Sequence, residues 1–321
     1  MRFPAEAKVA EGTSAQPATS LALDDHRGTT RLSVLTRRKF LTTSIVGAGV
    51  LALGVDAVIR EPNHPKLTRV EIPLARLPAA FDGFTIAQLS DFHYDPIFSA
   101  VPIRAAIEIV NGLHPDLVVL TGDFVTASAF ADIPDRNSAR AAAPCAQVLS
   151  GLRSRLGSLA VLGNHDVGTD PGFVTEVLQS HGIPVLRNRP QVLEQGGARL
   201  WFCGVDSLEG QPRIDLGLRG IPSDEAVIVL VHEPDFADEA ARHPVDLQLS
   251  GHSHGGQIWL PGIGAPWLPR YARKYPRGQY RVGSLPLYTN IGLGTITVAV
   301  RLNCTPEVTL VTLRAGRSNQ G

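Results

Sequence analysis

The chain has 321 residues, 44% of them hydrophobic and 19% charged, which supplies a sizeable core and excludes wholesale disorder. Its 30 basic residues equal its 30 acidic ones, so no global basic field calls for nucleic acid, and none is expected as a partner. Cys145, Cys203 and Cys304 are widely spaced with no CxxC pair, which excludes a disulfide framework and a thiolate zinc site; they read as small buried hydrophobes.

Residues 1–35 are rich in Ala, Thr, Ser and Asp and are expected to be disordered. Residues 36–60 differ in kind. Thr36-Arg37-Arg38-Lys39-Phe40-Leu41 precedes a run of small and apolar residues from Ile45 to Ile59. This resembles a twin-arginine export signal. A buried N-terminal helix behind a basic cap is the other reading. Gly47, Gly49, Gly54 and Asp56 make the run a weak permanent membrane span. Val55-Asp56-Ala57 offers small residues at cleavage positions, and an uncleaved anchor stays open. The signal implies the twin-arginine export machinery as a partner. It also implies a periplasmic or extracytoplasmic location, or anchorage at the cytoplasmic membrane, with a membrane surface nearby.

From residue 66 to 315 the pattern is that of one folded domain. Arg69–Leu74 alternates as a strand, and Phe84–Asp91 reads as a strand ending on an acid. Val101–Asp116 has helical spacing and stops at Gly112 and Pro115. Leu117–Asp123 is a continuous apolar run, expected of a strand buried on both faces. Ser138–Leu152 predicts a helix, Leu159–Asp166 a second buried strand and Gly172–Gly182 a helix closed by glycine. Ala198–Val205, Ala226–Pro234 and Val245–His254 predict strands, with a short helix at Asp235–His243. Beyond Gln257, the runs QIWL, LPLYTN, TITVAV and EVTLVTL alternate with turns. The alternation of strands and helices predicts a layered α/β fold with helices on both faces.

Strand after strand ends in Asp, His or Asn, and ligands in such folds bind at the carboxyl ends of strands. Asp91 and His93 lie in LSDFHYD, Asp123 in LTGDF, and Asn164, His165 and Asp166 in LGNHD. His232 lies in LVHEP, and His252 and His254 in SGHSHGGQ. These oxygen and imidazole donors suit divalent ions such as Mn²⁺, Fe²⁺ and Zn²⁺. There are enough of them for two ions, with one carboxylate left to bridge. Alternation along an extended segment would put Asp91 and His93 on one side, and likewise His252 and His254. Gly122 and Gly163 would let the backbone approach the ions closely.

The ordered set D-x-H, GD, GNHD, strand-end His and GHSH resembles the calcineurin-like metallophosphoesterase superfamily over about residues 84–257. The tail that continues from GHSHGGQIWLPGIG to PEVTLVTL looks like a bacterial branch with an N-terminal signal or membrane segment. The resemblance implies a four-layer α/β fold, a β-sandwich core flanked by helices on both faces. It implies that Asp91, His93 and His254 bind one ion, and Asn164, His232 and His252 the other, with Asp123 bridging. His165 would donate to the phosphoryl oxygen or leaving group, and Asp166 would orient His165. A hydroxide activated by the ions would then attack phosphorus directly, with no phosphoenzyme.

The substrate implied is a phosphodiester, or a phosphomonoester, on the cell envelope or a lipid headgroup. A small-molecule or nucleotide ester is the alternative. A binuclear amide or lactone hydrolase would use an H-x-H-x-D-H cluster, which is absent. A catalytically silent metal-binding module would need a broken motif, yet His165 is present. The basic stretch Pro269–Tyr280 follows the GHSHGGQ loop and reads either as a solvated loop or as a surface for anions. Tyr94 reads as a pocket wall or as packing.

Overall fold

The computed structural model describes residues 37–127 and 136–316; the segment expected to be disordered, 1–35, lies outside the described residues. The chain divides into two units, 1–47 and 48–321. Of the first unit, only the start of helix α1 (Arg37–Val55) is described. The glycines do not interrupt that helix. It ends where Asp56–Arg60 widens into a π-helical turn, followed by a 3₁₀ turn at Glu61–Asn63. Leu41–Asn63 is long and apolar enough to cross a membrane, with a mean hydropathy of 1.8.

The second unit is built on two sheets. The first has the order β1 (Lys66–Leu74), β11 (Glu307–Ala315), β2 (Thr85–Leu89), β3 (Leu117–Leu120), β4 (Ser158–Ala160). The second has the order β5 (Arg189–Gln195), β6 (Ala198–Gly204), β7 (Ala226–Leu230), β8 (Leu247–Ser250), β10 (Leu285–Thr289), β9 (Gly278–Val282). The β2–β3–β4 and β6–β7–β8–β10 runs are parallel. Their carboxyl ends therefore point the same way within each sheet.

The apolar runs without alternation have a clear cause. In β3, Leu117 and Val119 face the second sheet, where they meet Phe202, Ile228 and Leu249. Val118 and Leu120 face outward, under α2 (Ala100–Leu113), α4 (Ala142–Leu149) and α6 (Pro171–Ser180). Small helices α7 (Ile214–Gly217) and α8 (Ala237–Ala240) cover the outer face of the second sheet. The result is the expected layered α/β fold, with a β-sandwich core and helices on both outer faces. Each buried strand has a helix layer on one side and the other sheet on its second side.

Local differences follow from single residues. The helix expected at Ser138–Leu152 splits into α3 (Arg136–Ala139) and α4, because Pro144 has no N–H to continue the ladder back to Arg140. Edge strands β5 and β9 are polar and only partly buried, which hid them from apolar periodicity. QIWL and TITVAV are not strands; an isolated bridge pairs Ile258 with Leu302, just beyond TITVAV. The three cysteines are free and buried.

Phe202 lies fully buried between the sheets. Phe202→Ala is expected to cost about 3–5 kcal/mol of stability, read as a lower urea midpoint at unchanged slope. A loss under about 1 kcal/mol would contradict this core.

Candidate metal centre

The sequence-selected residues converge where the carboxyl ends of both sheets meet. Asp91 and His93 follow β2, Asp123 follows β3, and His232 follows β7. Asn164, His165 and Asp166 open α5 (Asn164–Thr169) just beyond β4, and His252 and His254 follow β8. Expected alternation along an extended chain is not how the pairs are aimed. Asp91, His93, Asp123, His252 and His254 all have left-handed backbones, with φ of 54°, 40°, 57°, 69° and 50°. Non-glycine residues pay of order 1–3 kcal/mol each for such strain, and they keep it only where the surroundings hold them. Here the holding bonds are explicit. Asp91 N donates to Gly122 O (2.9 Å), His93 N to Asp123 O (2.9 Å), and His252 N to Asp91 Oδ2 (3.0 Å).

Two glycines are required by close approach. A Cβ on Gly163 would lie 2.1 Å from Asp123 Oδ1, and one on Gly251 would lie 1.8 Å from Ser90 Oγ.

Three overlapping groups of described residues each offer ligand atoms within 4.8 Å of one another: Asp91, His93 and His254; His93, Asp123 and His165; and Asp123, His232 and His252. Asp123 Oδ2 stands between two of the imidazoles, 3.4 Å from His93 Nε2 and 3.1 Å from His232 Nε2. His254 Nε2 is 3.0 Å from His93 Nε2 and 3.2 Å from Asp91 Oδ1. Ligands at roughly 2.0–2.2 Å from a shared ion, at right-angled to tetrahedral spacing, sit about 3.0–3.5 Å apart. Asp91 Oδ1, Asn164 Oδ1, His232 Nε2 and His254 Nδ1 are buried without a hydrogen-bond partner among the described residues. Such orphaned atoms are costly unless a ligand satisfies them. The donor set and spacing fit divalent ions.

The imidazoles are prepared for that role. His232 Nδ1 donates to Thr121 O (2.6 Å), so Nε2 is the nitrogen aimed at Asp123. Burial disfavours the charge on His232, but Asp123 and Asp91 outweigh burial and raise its pKa well above the ordinary range, so an ion there would replace a proton. His252 Nε2 donates to Arg270 O (2.7 Å), which presents Nδ1 instead. Burial holds His252 down to about 3 and His254 well below its ordinary range, so both stay neutral. Burial opposes the charge on Asp123, but the charge of His232 and hydrogen bonds from His232 and His93 more than offset it and keep its pKa well below normal.

His165 Nδ1 accepts the Ala127 N–H at 2.9 Å, so in the neutral ring Nε2 carries the proton. Burial pushes His165 down to about 4. Its ring stands edge-on to His93, with centroids 4.8 Å apart. Among the described residues, the hydrogen bonds of the Asp166 carboxylate go to backbone N–H groups rather than to that ring. Its oxygens accept four backbone N–H groups: Gly163 (2.9 Å) and Asp123 (2.9 Å) on Oδ2, Phe124 (2.9 Å) and Val125 (3.2 Å) on Oδ1. Burial and Asp123 raise the Asp166 pKa, while these donors favour its charged form. Asp166 thus pins the loop carrying Asp123 to the start of α5, and Ala127 orients His165.

Other contributors were not legible beforehand. Arg301 is fully buried and donates to the carbonyls of Ile291, Gly292, Gly294 and Cys304. It thereby clamps a loop whose Leu293 and Gly294 N–H groups bind Ser90 O and Asp91 O. Its only sequence signal was a lone Arg in an otherwise apolar run. Of the basic stretch, Arg270 lines the cavity of about 140 Å³ over the centre, together with Glu209 and His165. Lys274 pairs with Asp238, and Arg277 lies over the Trp259 ring. Tyr94 is half-buried against the helix-side core.

Such a pairing of cation cages under a neutral imidazole donor belongs to hydrolases that use divalent metals on phosphate esters. The calcineurin-like phosphoesterase family model matches residues 84–256. An uncharacterized metallophosphoesterase of Bacillus subtilis, YkuE, is 36% identical over 88% of this chain and 98% of its own length. The phosphodiesterase YaeI of Escherichia coli is 34% identical over 79% of this chain and 90% of its own. The UDP-2,3-diacylglucosamine pyrophosphatase LpxG of Chlamydia trachomatis is 28% identical over 84% of this chain and 95% of its own. The chain belongs to the calcineurin-like phosphoesterase family and is a metal-dependent phosphoric ester hydrolase.

Because a methyl on Gly163 would strike Asp123, Gly163→Ala is expected to bind fewer than two Mn²⁺ ions per chain in equilibrium dialysis. Retention of two tightly bound ions would contradict the geometry.

Proposed function

We propose that this enzyme hydrolyses phosphodiester bonds with two divalent ions, Mn²⁺, Zn²⁺ or Fe²⁺, acting on a lipid-linked or other envelope substrate. The observation that carries the two-ion reading is Asp123 Oδ2, set between His93 Nε2 on one side and His232 Nε2 on the other. Asp91, His93 and His254 would hold one ion, Asn164, His232 and His252 the other, and Asp123 both. Bound there, the ions supply Lewis acidity and a water acidic enough to attack near neutral pH.

The protein's own groups do the rest. His165 Nε2–H points from a ring fixed by Ala127 and donates to the phosphoryl oxygen or leaving group as charge develops there. Asp166 keeps Asp123 and His165 in register by gripping both flanking backbones. Arg270 on the cavity wall attracts the anionic ester.

The envelope assignment is supported by the apolar N-terminal segment with its Arg37-Arg38 pair, read as a twin-arginine signal that engages the export machinery. The E. coli relative's name, a phosphodiesterase, supports the diester reading, and the Chlamydia relative's, a UDP-2,3-diacylglucosamine pyrophosphatase, supports a lipid-linked substrate. We place the enzyme outside the cytoplasm or at the cytoplasmic membrane surface.

An activated phosphodiester and monoester, assayed with metal-stripped protein and added Mn²⁺, Zn²⁺ or Mg²⁺, test the reaction. Metal-dependent diester cleavage is expected, and His165→Ala should lower kcat by about 10²–10³-fold with KM little changed. An unaffected mutant would remove His165 from the mechanism.

A pH prediction follows from the low His165 pKa. At about 4 the ring is already neutral across the working range, and nearby dications would lower it further. The acid limb of kcat therefore belongs to the attacking water. His165→Gln should lower kcat without moving that limb's midpoint; a midpoint shift of about one pH unit would contradict the neutral-donor role.

A further inference from the structure

Beside the metal cavity lies a second one, of about 260 Å³, walled by Ile258, Trp267, Ile296 and Val298. The two are continuous: His254, Trp267 and Ile296 line both. Its rim stays apolar in solvent, with Trp267 63% and Val298 53% exposed. We infer that this cavity receives one acyl or alkyl chain of the substrate while the phosphate occupies the metal centre. The inference rests on the phosphodiesterase reading above and specifies the substrate as an amphiphile.

The cavity is a built one. Gln257, the last residue of the GHSHGGQ motif, is buried, and its side chain shapes the opposite wall. Gln257 Oε1 accepts the Ile296 N–H (2.6 Å), and Nε2 donates to Val298 O (3.2 Å). Its carbonyl accepts the Leu302 N–H (2.8 Å). This explains why QIWL and TITVAV are irregular: they form two walls around a gap instead of a strand pair.

At about 30 Å³ per water in the liquid, the volume is that of roughly nine waters, enough by volume for a chain of several methylenes. Apolar walls hold water poorly, and displacing it into bulk is favourable. The same loop fastens the end of the apolar N-terminal segment. Arg301 N donates to Ala57 O (2.9 Å) and Asn303 N to Glu61 Oε2 (3.0 Å). The chain site and the foot of a membrane-length segment thus share one strap of backbone, residues 296–305, suited to a substrate whose tails start in a bilayer.

The test is binding, read from tryptophan emission of the full-length, Zn²⁺-loaded protein. The probes are bromodecylphosphonate and bromoethylphosphonate, each brominated at the chain end and kept below micelle formation. Each buried methylene is worth roughly a fourfold change in affinity. The decyl probe should therefore quench saturably and bind at least about 50-fold more tightly. Val298→Glu should abolish the difference, and Trp267→Phe should remove most of the quenching. Equal affinity for both probes, or a difference untouched by Val298→Glu, would overturn the proposal. A parallel series of alkyl nitrophenyl phosphodiesters separates the two readings. Brisk turnover with no chain-length dependence would sink the chain site alone. Chain-selective quenching with no turnover under any metal would uphold the site and sink the diesterase reading.

Discussion

Everything in the centre depends on where one carboxylate stands. Asp123 is buried, charged, and placed between imidazoles brought by different sheets. An unpaired buried charge is very costly, so the fold surrounds this one with groups that favour it. His165 N donates to its Oδ1 at 3.0 Å, and Asp166 fixes the backbone on either side. The left-handed backbones of five proposed ligands belong to the same arrangement. Strain at Asp91 and His93 is held by hydrogen bonds between the loops after β2 and β3, and at His252 by one to Asp91 that joins the two sheets. In the proposed two-ion centre, that pre-set geometry removes the need to reorganise charged groups during reaction.

Much of this could be read from residue order. Apolar runs ending in Asp, His or Asn identified both the buried strands and the residues that meet at their ends. Those signals are strong because burial on two faces demands continuous apolar runs, and because chemistry demands particular side chains. The edge strands β5 and β9 gave no such signal, since one face of each is wet. The aim of Asp91, His93, His252 and His254 was expected from alternation, but the structure achieves it with left-handed residues. Backbone dihedrals at strand ends depend on partners distant in sequence, such as Gly122 O for Asp91 N, and no local pattern encodes them.

The same limit explains Ala127, Asp166 and Arg301. A backbone N–H that fixes a histidine tautomer leaves no trace in side-chain identity. Asp166 was recognised as part of GNHD, but the four backbone N–H groups that its carboxylate accepts were not. Arg301 balances its buried charge with carbonyl oxygens rather than a carboxylate, so charge pairing in the sequence could not place it. These residues support the site through backbone. Substituting them would disturb geometry before chemistry.

The account stands on two cations sharing Asp123. Anomalous scattering from crystals of the Mn²⁺-loaded protein, recorded at the manganese edge, tests that most directly. Two peaks roughly 3.5–4 Å apart, one beside Asp91, His93 and His254 and one beside Asn164, His232 and His252, with Asp123 touching both, are predicted. A single peak, or a second ion held away from Asp123, would contradict it.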